Sequence, residues 1–290
     1  MDERTALGML ADRLAHAGDD AAIVDGLVLT TDMLHETTDF PDGTTRYTAG
    51  WRAVGASLSD VAAMGADPVG AVAVYGAPEF DEREILAFVD GACDVCERVG
   101  TEYVGGDLDG HTEFTVSTSV VGRTDEPVLR SGATPGDAIC VTGTLGRSGA
   151  ALRYFEHGAV ERANELFRFE PRVAAGRALA SHASAMMDSS DGLARSLHQL
   201  AEASDCGMAA ETPLPIDDAV EDVADSVDER LELGAFFGED FELVCTIPED
   251  RLADATAVTP TTLHRVGTVV EEGVTLDGEP LPDRGYTHRA

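Results

Sequence analysis

The sequence predicts an α/β fold in two parts, and three observations carry that reading. Apolar residues alternate along the chain between short strand-like runs and helix-like spacings of three and four. Gly, Asp and Pro clusters separate those segments. A length of 290 residues suits one large or two medium domains, and Thr124-Asp125-Glu126-Pro127 is the best boundary, dividing the chain into 1–126 and 127–290.

The elements follow in order. Residues 3–16 read as a helix, then Ala21–Val24 and Leu27–Thr31 as short strands around an Asp25-Gly26 turn, a hairpin signal. Trp51, Val54, Leu58 and Val61 form one face of a helix that ends near Met64-Gly65, which places Asp60 in its last turns. Val69–Tyr75 is a buried strand and Asp81–Arg98 an amphipathic helix. A strand from Glu102 ends at Gly105-Gly106-Asp107, and Thr112–Arg123 alternates as a long strand. After the boundary come Asp137–Thr142 (strand), Gly146–His157 and Pro171–Ser181 (helices) and Ser184–Met187 (strand). Ser190–Ala203 is a helix with Ser190 or Asp191 near its cap, and Phe241–Ile247 and Leu263–Val270 are strands.

Composition removes several function classes. Acidic residues number 54 against 20 basic ones, all of them Arg, for a net charge of −34. Such self-repulsion strains a compact fold at low salt. At about 1 M salt the Debye length falls to roughly 3 Å, so most carboxylates read as a hydrated surface suited to a salt-rich cytoplasm. No Arg cluster offers the positive stripe that nucleic acid requires. The longest apolar run, Val69 to Ala77, is far short of the ~20 residues that cross a bilayer, and Met1-Asp2-Glu3-Arg4 does not open a signal pattern. The expectation is a cytoplasmic protein without nucleic-acid or membrane partners. Of five Cys, Cys93 and Cys96 make a lone CxxC inside a helix; without further ligands they read as buried thiols rather than a zinc site.

Absence of lysine excludes a P-loop and a protein-kinase strand lysine. No HExxH and no Gly-x-Ser-x-Gly is present either. Val141 to Gly149 looks like a strand–glycine–helix phosphate loop, but its glycine spacing misses the dinucleotide pattern, so it stands as a tight turn or a phosphate contact. What remains is Asp set among Gly, Ser and Thr: Gly18-Asp19-Asp20, Thr30-Thr31-Asp32, Leu58-Ser59-Asp60, Gly105-Gly106-Asp107, Asp188 to Gly192 and Gly238-Glu239-Asp240. Hard cations such as Mg²⁺ take carboxylates together with phosphate oxygens and water. Each motif alone is an ordinary turn or cap; together they sit at element ends in both halves, where a fold can converge them on one cleft.

The order of these motifs, together with the Trp51–Pro68 block, Arg130 to Gly146, Met187 to Ala194 and Gly238 to Leu243, resembles the thiamine-monophosphate kinases of the aminoimidazole ribonucleotide synthetase-like superfamily. The resemblance runs from Gly18 to His288. It implies two α/β domains, an N-terminal sheet-rich one that dimerises with its twin and a C-terminal one that completes the cleft. It also implies transfer of the γ-phosphoryl group of ATP to thiamine monophosphate with several Mg²⁺ ions. Carried over by motif, Asp20, Thr30, Thr31, Asp32, Asp60, Asp107, Asp188 and Asp191 would hold metals. Gly106, Asp107, Arg130 and Ser190 would meet ATP, and Asp39, Glu239 and Tyr286 would border the thiamine phosphate. No acid–base catalyst is implied, because the acceptor is already an anion. Two departures stand out: Asp39 precedes Phe40 where the family commonly has His, and Arg289-Ala290 follows His288 in place of an aromatic. Among relatives, selenophosphate synthesis typically uses an N-terminal Cys or selenocysteine and a lysine, which this chain lacks; a binding or maturation module without turnover would leave the carboxylate set without a purpose.

Overall fold

The computed structural model describes residues 8–10, 13, 14 and 16–286. Most of the expected 3–16 helix and the tail beyond Tyr286 lie outside the described residues. The first sheet has five strands in the order β1-β2-β5-β3-β4: β1 (Ala22–Val24), β2 (Leu27–His35), β3 (Asp67–Ala77), β4 (Tyr103–Gly110) and β5 (Thr115–Arg123). The second has seven, in the order β12-β11-β8-β10-β6-β9-β7, and includes β6 (Ala138–Thr142), β7 (Ala185–Asp188), β8 (Gly207–Ala210), β9 (Leu243–Ile247), β10 (Leu263–Val270), β11 (Val274–Leu276) and β12 (Glu279–Pro280). The mixed α/β class expected from the sequence holds.

The β1–β2 hairpin forms where Asp25-Gly26 stands, and both turn residues take positive φ, as a tight right-twisting turn requires. Two strands differ from expectation: Val69, Val72 and Val74 of β3 are exposed, so the strand read as buried is covered on one face only, and Gly105-Gly106-Asp107 lies inside β4 rather than at its end. Helix α1 is the short turn Glu36–Asp39. Helix α2 (Arg46–Ala63) begins at Thr45, whose side chain accepts the Thr48 amide, and it is buried almost all round. A helix so enclosed needs small residues where backbones meet. A Cβ on Gly50 would lie 2.1 Å from the Phe88 carbonyl, and one on Gly91 2.0 Å from that of Tyr47. These two glycines let α2 press against α3 (Glu82–Val99), whose start is capped by Asp81. On α3 Cys96 is buried, but Cys93 is exposed, contrary to the reading of both thiols as buried.

One face of α2 covers the first sheet through Val54, Leu58 and Val61, all fully buried with Val28 and Val120. Its C-terminal turns pack toward α6 (Val173–Leu179) and β7 of the second sheet, through Ala62, Leu179 and Met186. Between β6 and α6 come α4 (Arg147–Glu156) and α5 (Val160–Phe167), the second of which sequence periodicity did not reveal. Helix α7 (Leu193–Ser204) starts at Gly192 without a side-chain cap, so Ser190 and Asp191 belong to the loop before it and not to a cap. Because α2 bridges the two sheets, groups on its polar face meet the ends of both β2 and β7.

Candidate active site

Strand β2 alternates, and that alternation sorts the Thr30-Thr31-Asp32 motif. Thr30 and Asp32 point toward α2: the Thr30 hydroxyl donates to Asp60, and the Ser57 hydroxyl donates to Asp32. Thr31 faces the other way, where its hydroxyl donates to the Thr118 carbonyl at 2.8 Å. One of the three therefore stands apart from the carboxylate group on α2.

Three carboxylates meet there. Oxygens of Asp20, Asp60 and Asp188 all lie within 4.8 Å of one another, brought from the loop before β1, the last turns of α2 and the end of β7. Burial raises the Asp60 carboxyl well above the ordinary range, and the charges of Asp32, Asp188 and Asp20 raise it further. Burial likewise pushes Asp188 up to about 6, with Asp20 adding to it. Asp188 Oδ1 accepts from the Ser190 amide (3.1 Å) and hydroxyl (2.7 Å), while its buried Oδ2 makes no close hydrogen bond among the described residues, the Ser59 hydroxyl being the donor that acts on this carboxylate. Like charges packed so closely and so far from water are costly unless protons or a cation join them. Three crowded carboxylates in an all-oxygen donor set fit a hard divalent cation.

Arg130 closes one side. Its guanidinium grips Asp20 with Nε at 3.1 Å from Oδ2 and a terminal nitrogen at 3.0 Å from Oδ1, and its amide donates to Asp19 at 3.0 Å. Asp19, chiefly through burial, is pushed up to about 6. Arg130 is thus tied to a cluster member, and a phosphate reaching it would share that guanidinium.

The loops that follow β7 and precede β9 are locked together, because Asp188 and Leu243 pair across those strands. Ser189 and Glu242 exchange backbone and hydroxyl bonds at 2.8 and 3.0 Å, and the Glu239 amide donates to Ser190 at 2.6 Å. Glu239 and Phe241 both hold φ in the left-handed region, +58° and +54°. For such residues that costs on the order of 1–3 kcal/mol each. Two anchors offset it. Asp240 is buried and accepts the amides of Gly146 at 2.5 Å and Ser148 at 2.9 Å; desolvation nevertheless raises it to about 7. Arg52, 2% exposed, donates to the Glu239 carboxylate at 2.9 Å and to the Phe167 carbonyl at 2.8 Å, with its guanidinium 3.6 Å over the Phe167 ring. The strand–glycine–helix turn at Gly143–Gly149 is therefore already occupied by a carboxyl group, the side chain of Asp240.

In front of this loop a cleft of 340 Å³ is lined by Thr31, Asp32, Ser190, Asp191, Glu239 and Tyr286, with Phe241 as an apolar wall. Tyr286 donates to Asp39 at 3.0 Å, and Asp39 also accepts the His35 amide at 2.7 Å, so the buried Asp39 fastens the entry to α1. Gly106 and Asp107 are not brought to the cluster. Asp32, Thr118, Ala73 and Gly106 follow one another across four strands, which puts Gly106 roughly 14 Å from Asp32. Gly106 also has a packing reason, since a Cβ there would lie 1.8 Å from the Ala73 carbonyl. Asp107 is exposed, opposite Val74, on the sheet face turned away from α2.

Sequence reasoning missed Arg52, Ser57 and Asp240 as organisers of the site. The signal for Arg52 was present: one cation in the small, apolar stretch from Ala49 to Leu58 must be paired or stacked once buried.

Comparisons with known proteins identify the family. Residues 18–124 match the family model for the AIR synthase related protein N-terminal domain, and 134–278 that for its C-terminal domain. A thiamine-monophosphate kinase of Halobacterium salinarum is 60% identical, over 99% of this chain and 100% of its own. The chain belongs to the thiamine-monophosphate kinase family. The Escherichia coli member is 33% identical over 94% of this chain and 91% of its own. The structure of AaThiL complexed with AMPPCP and TMP superposes with a TM-score of 0.91 at 28% identity, covering 99% of this chain and 97% of that one. Hydrogenase maturation protein HypE in complex with ATP, 21% identical with a TM-score of 0.72 over 93% of this chain and 86% of that one, shares the fold alone.

Proposed function

We propose that this chain phosphorylates thiamine monophosphate to thiamine diphosphate with ATP, by in-line transfer of the γ-phosphoryl group, as a cytoplasmic enzyme of thiamine diphosphate synthesis. The observation that carries this is the buried Asp20–Asp60–Asp188 group beside the Glu239–Tyr286 cleft, in a chain similar to kinases of that name. A structural relative, AaThiL complexed with AMPPCP and TMP, supports the choice of co-substrates.

Mg²⁺ ions held by this group, with Asp32 and Asp191 nearby, would neutralise repulsion between two polyanions and align their oxygens. The chain's own residues do the rest. Thr30 and Ser57 orient Asp60 and Asp32, and Ser190 orients Asp188. Arg130 positions Asp20 and offers its remaining N–H donors to the nucleotide phosphates. Arg52 fixes Glu239 at the mouth of the cleft, where it and Tyr286 border the thiamine phosphate. The acceptor is already a phosphate anion, so no residue needs to remove a proton from it.

A homodimer belongs to the same reading. The face of the first sheet turned away from α2 exposes Leu29, Met33, Val72, Val74 and Val104, a patch that a second copy would cover. Thr31 and Asp107 stand on that face and, in this reading, act where two copies meet. Residues 1–126 form the dimerising part, which brings Asp20, Asp32 and Asp60, and 127–290 the part that completes the cleft with Asp188 and Asp191. The net charge of −34 suits work at high salt.

Incubating the purified protein with ATP, Mg²⁺ and thiamine monophosphate at high KCl, and separating products by chromatography, tests the proposal. Stoichiometric thiamine diphosphate and ADP are expected; ATP left intact, or hydrolysed without phosphorylated thiamine, would sink it.

A further inference from the structure

Behind the Gly238–Leu243 segment lies a second cleft of 280 Å³, lined by Arg98, Arg147, Arg168 and Arg172 together with Trp51 and Thr144. Four of the chain's 20 cations on one cavity is a concentration the acidic composition does not prepare for. Three carboxylates also face it, and each is already answered. Glu170 accepts from Arg98 at 2.9 Å, and Glu242 takes Arg172 in a fork at 2.7 and 2.5 Å. Asp240 is satisfied by the Gly146 and Ser148 amides.

Arg147 and Arg168 remain. Among the described residues neither has a carboxylate partner within ion-pair distance. Arg147 donates to the backbone carbonyls of Leu166 (3.1 Å) and Glu165 (3.4 Å), and Arg168 reaches only the Thr48 hydroxyl at 3.5 Å and the Tyr47 ring at 5.3 Å. Both are half-buried. In a protein with 54 carboxylates, two guanidinium groups turned into one crevice without a counter-ion are an unusual arrangement. Each carries five N–H donors in a planar fork suited to phosphate oxygens.

We propose that this rear cleft is a binding site for a small phosphate-bearing anion, separate from the front cleft and held by Arg147 and Arg168. Its wall is the same segment that presents Glu239 and Phe241 to the front, so occupancy would touch the loop that shapes the substrate side.

Trp51 is the single tryptophan of the chain and lines the cleft, which makes its fluorescence a direct reporter. The protein is titrated with inorganic phosphate at constant KCl, with a chelator present and no nucleotide or thiamine phosphate, so the carboxylate cluster repels the probe. A saturable change is expected, and it should persist in Asp32→Asn. The Arg147→Gln/Arg168→Gln double variant should weaken apparent affinity by at least about tenfold, the scale of one lost charge-assisted hydrogen bond. Arg168→Gln alone serves if the double variant does not fold by circular dichroism. Arg162→Gln, which removes an exposed cation paired with Glu165 on α5, should leave the titration in place. A phosphate titration that does not saturate, the same curve with added chloride, or equal weakening by Arg162→Gln would overturn the site.

Discussion

The two sides of the Gly238–Leu243 segment hold opposite charge. In front, Asp20, Asp60 and Asp188 crowd three carboxylates, with Arg130 gripping Asp20; behind, four guanidinium groups face a cleft whose carboxylates are already spoken for. One six-residue stretch separates them, with Glu239 and Phe241 turned forward and Asp240 and Glu242 turned back. Net charge alone does not describe such a protein: −34 is spread outside, while the chemistry depends on which buried groups lack a partner.

Removing a front carboxylate tests that side most severely. Asp188→Asn should cut turnover by roughly 1000-fold, the several kcal/mol that metal-assisted charge neutralisation supplies, with the circular dichroism spectrum unchanged. Retention of most activity would separate Asp188 from the metal group.

Arg52 joins the two sides from below. Arg52→Gln leaves Glu239 without its cation and should destabilise the fold by about 3–5 kcal/mol, the range for breaking one partner of a buried pair, read as a lower denaturation midpoint in urea. Arg52→Lys cannot reach the Ser148, Phe167 and Glu239 acceptors as a fork, and should fall between the two. An unshifted midpoint would remove Arg52 as the anchor of the strained loop.

Asp240 makes stability depend on pH. Its folded value near 7 lies above the ordinary 3.8, so between about 4 and 7 the folded state keeps a proton that the unfolded state has released. Stability from this group is therefore lost as pH rises through that window, and levels off above 7. Asp240→Asn should flatten that part of the profile; parallel curves for the two proteins would refute the assignment.

The smallest effect belongs to a carboxylate outside both regions. Asp205 ends α7 with φ of +51°, a conformation that Asn adopts as readily as Asp. Asp205→Asn should change stability and turnover little, within about 0.5 kcal/mol in stability, and a larger loss would mean that surface charge at large, not the two clefts, governs the protein.

Local pattern read much of this fold. Leu263–Val270 is a strand over the whole expected range, and the Asp25-Gly26 hairpin and the Trp51–Val61 helix face stand where spacing put them. Their signals are local: period two, period three to four, and turn residues that tolerate positive φ. Helix α5 and strands β8, β11 and β12 escaped because they are short and owe their existence to neighbours across the sheet or helix layer. The site divided in the same way. Motif order brought Asp20, Asp60 and Asp188 to one list, but not the parity that turns Thr31 away from Thr30 and Asp32, nor the strand order that sets Asp107 on a distant edge.

By itself, then, the sequence determined the acidic, lysine-free composition, the α/β succession and a list of carboxylates and hydroxyls from which a cation site could be drawn, because each depends on residue type and on neighbours a few positions away. Only the tertiary structure decided which carboxylates share a site, that Arg52 and Asp240 hold the strained loop between two clefts, and that Arg147 and Arg168 have no carboxylate partner among the described residues. Those are properties of distances between segments up to 187 residues apart, which burial and strand pairing set and no local pattern encodes.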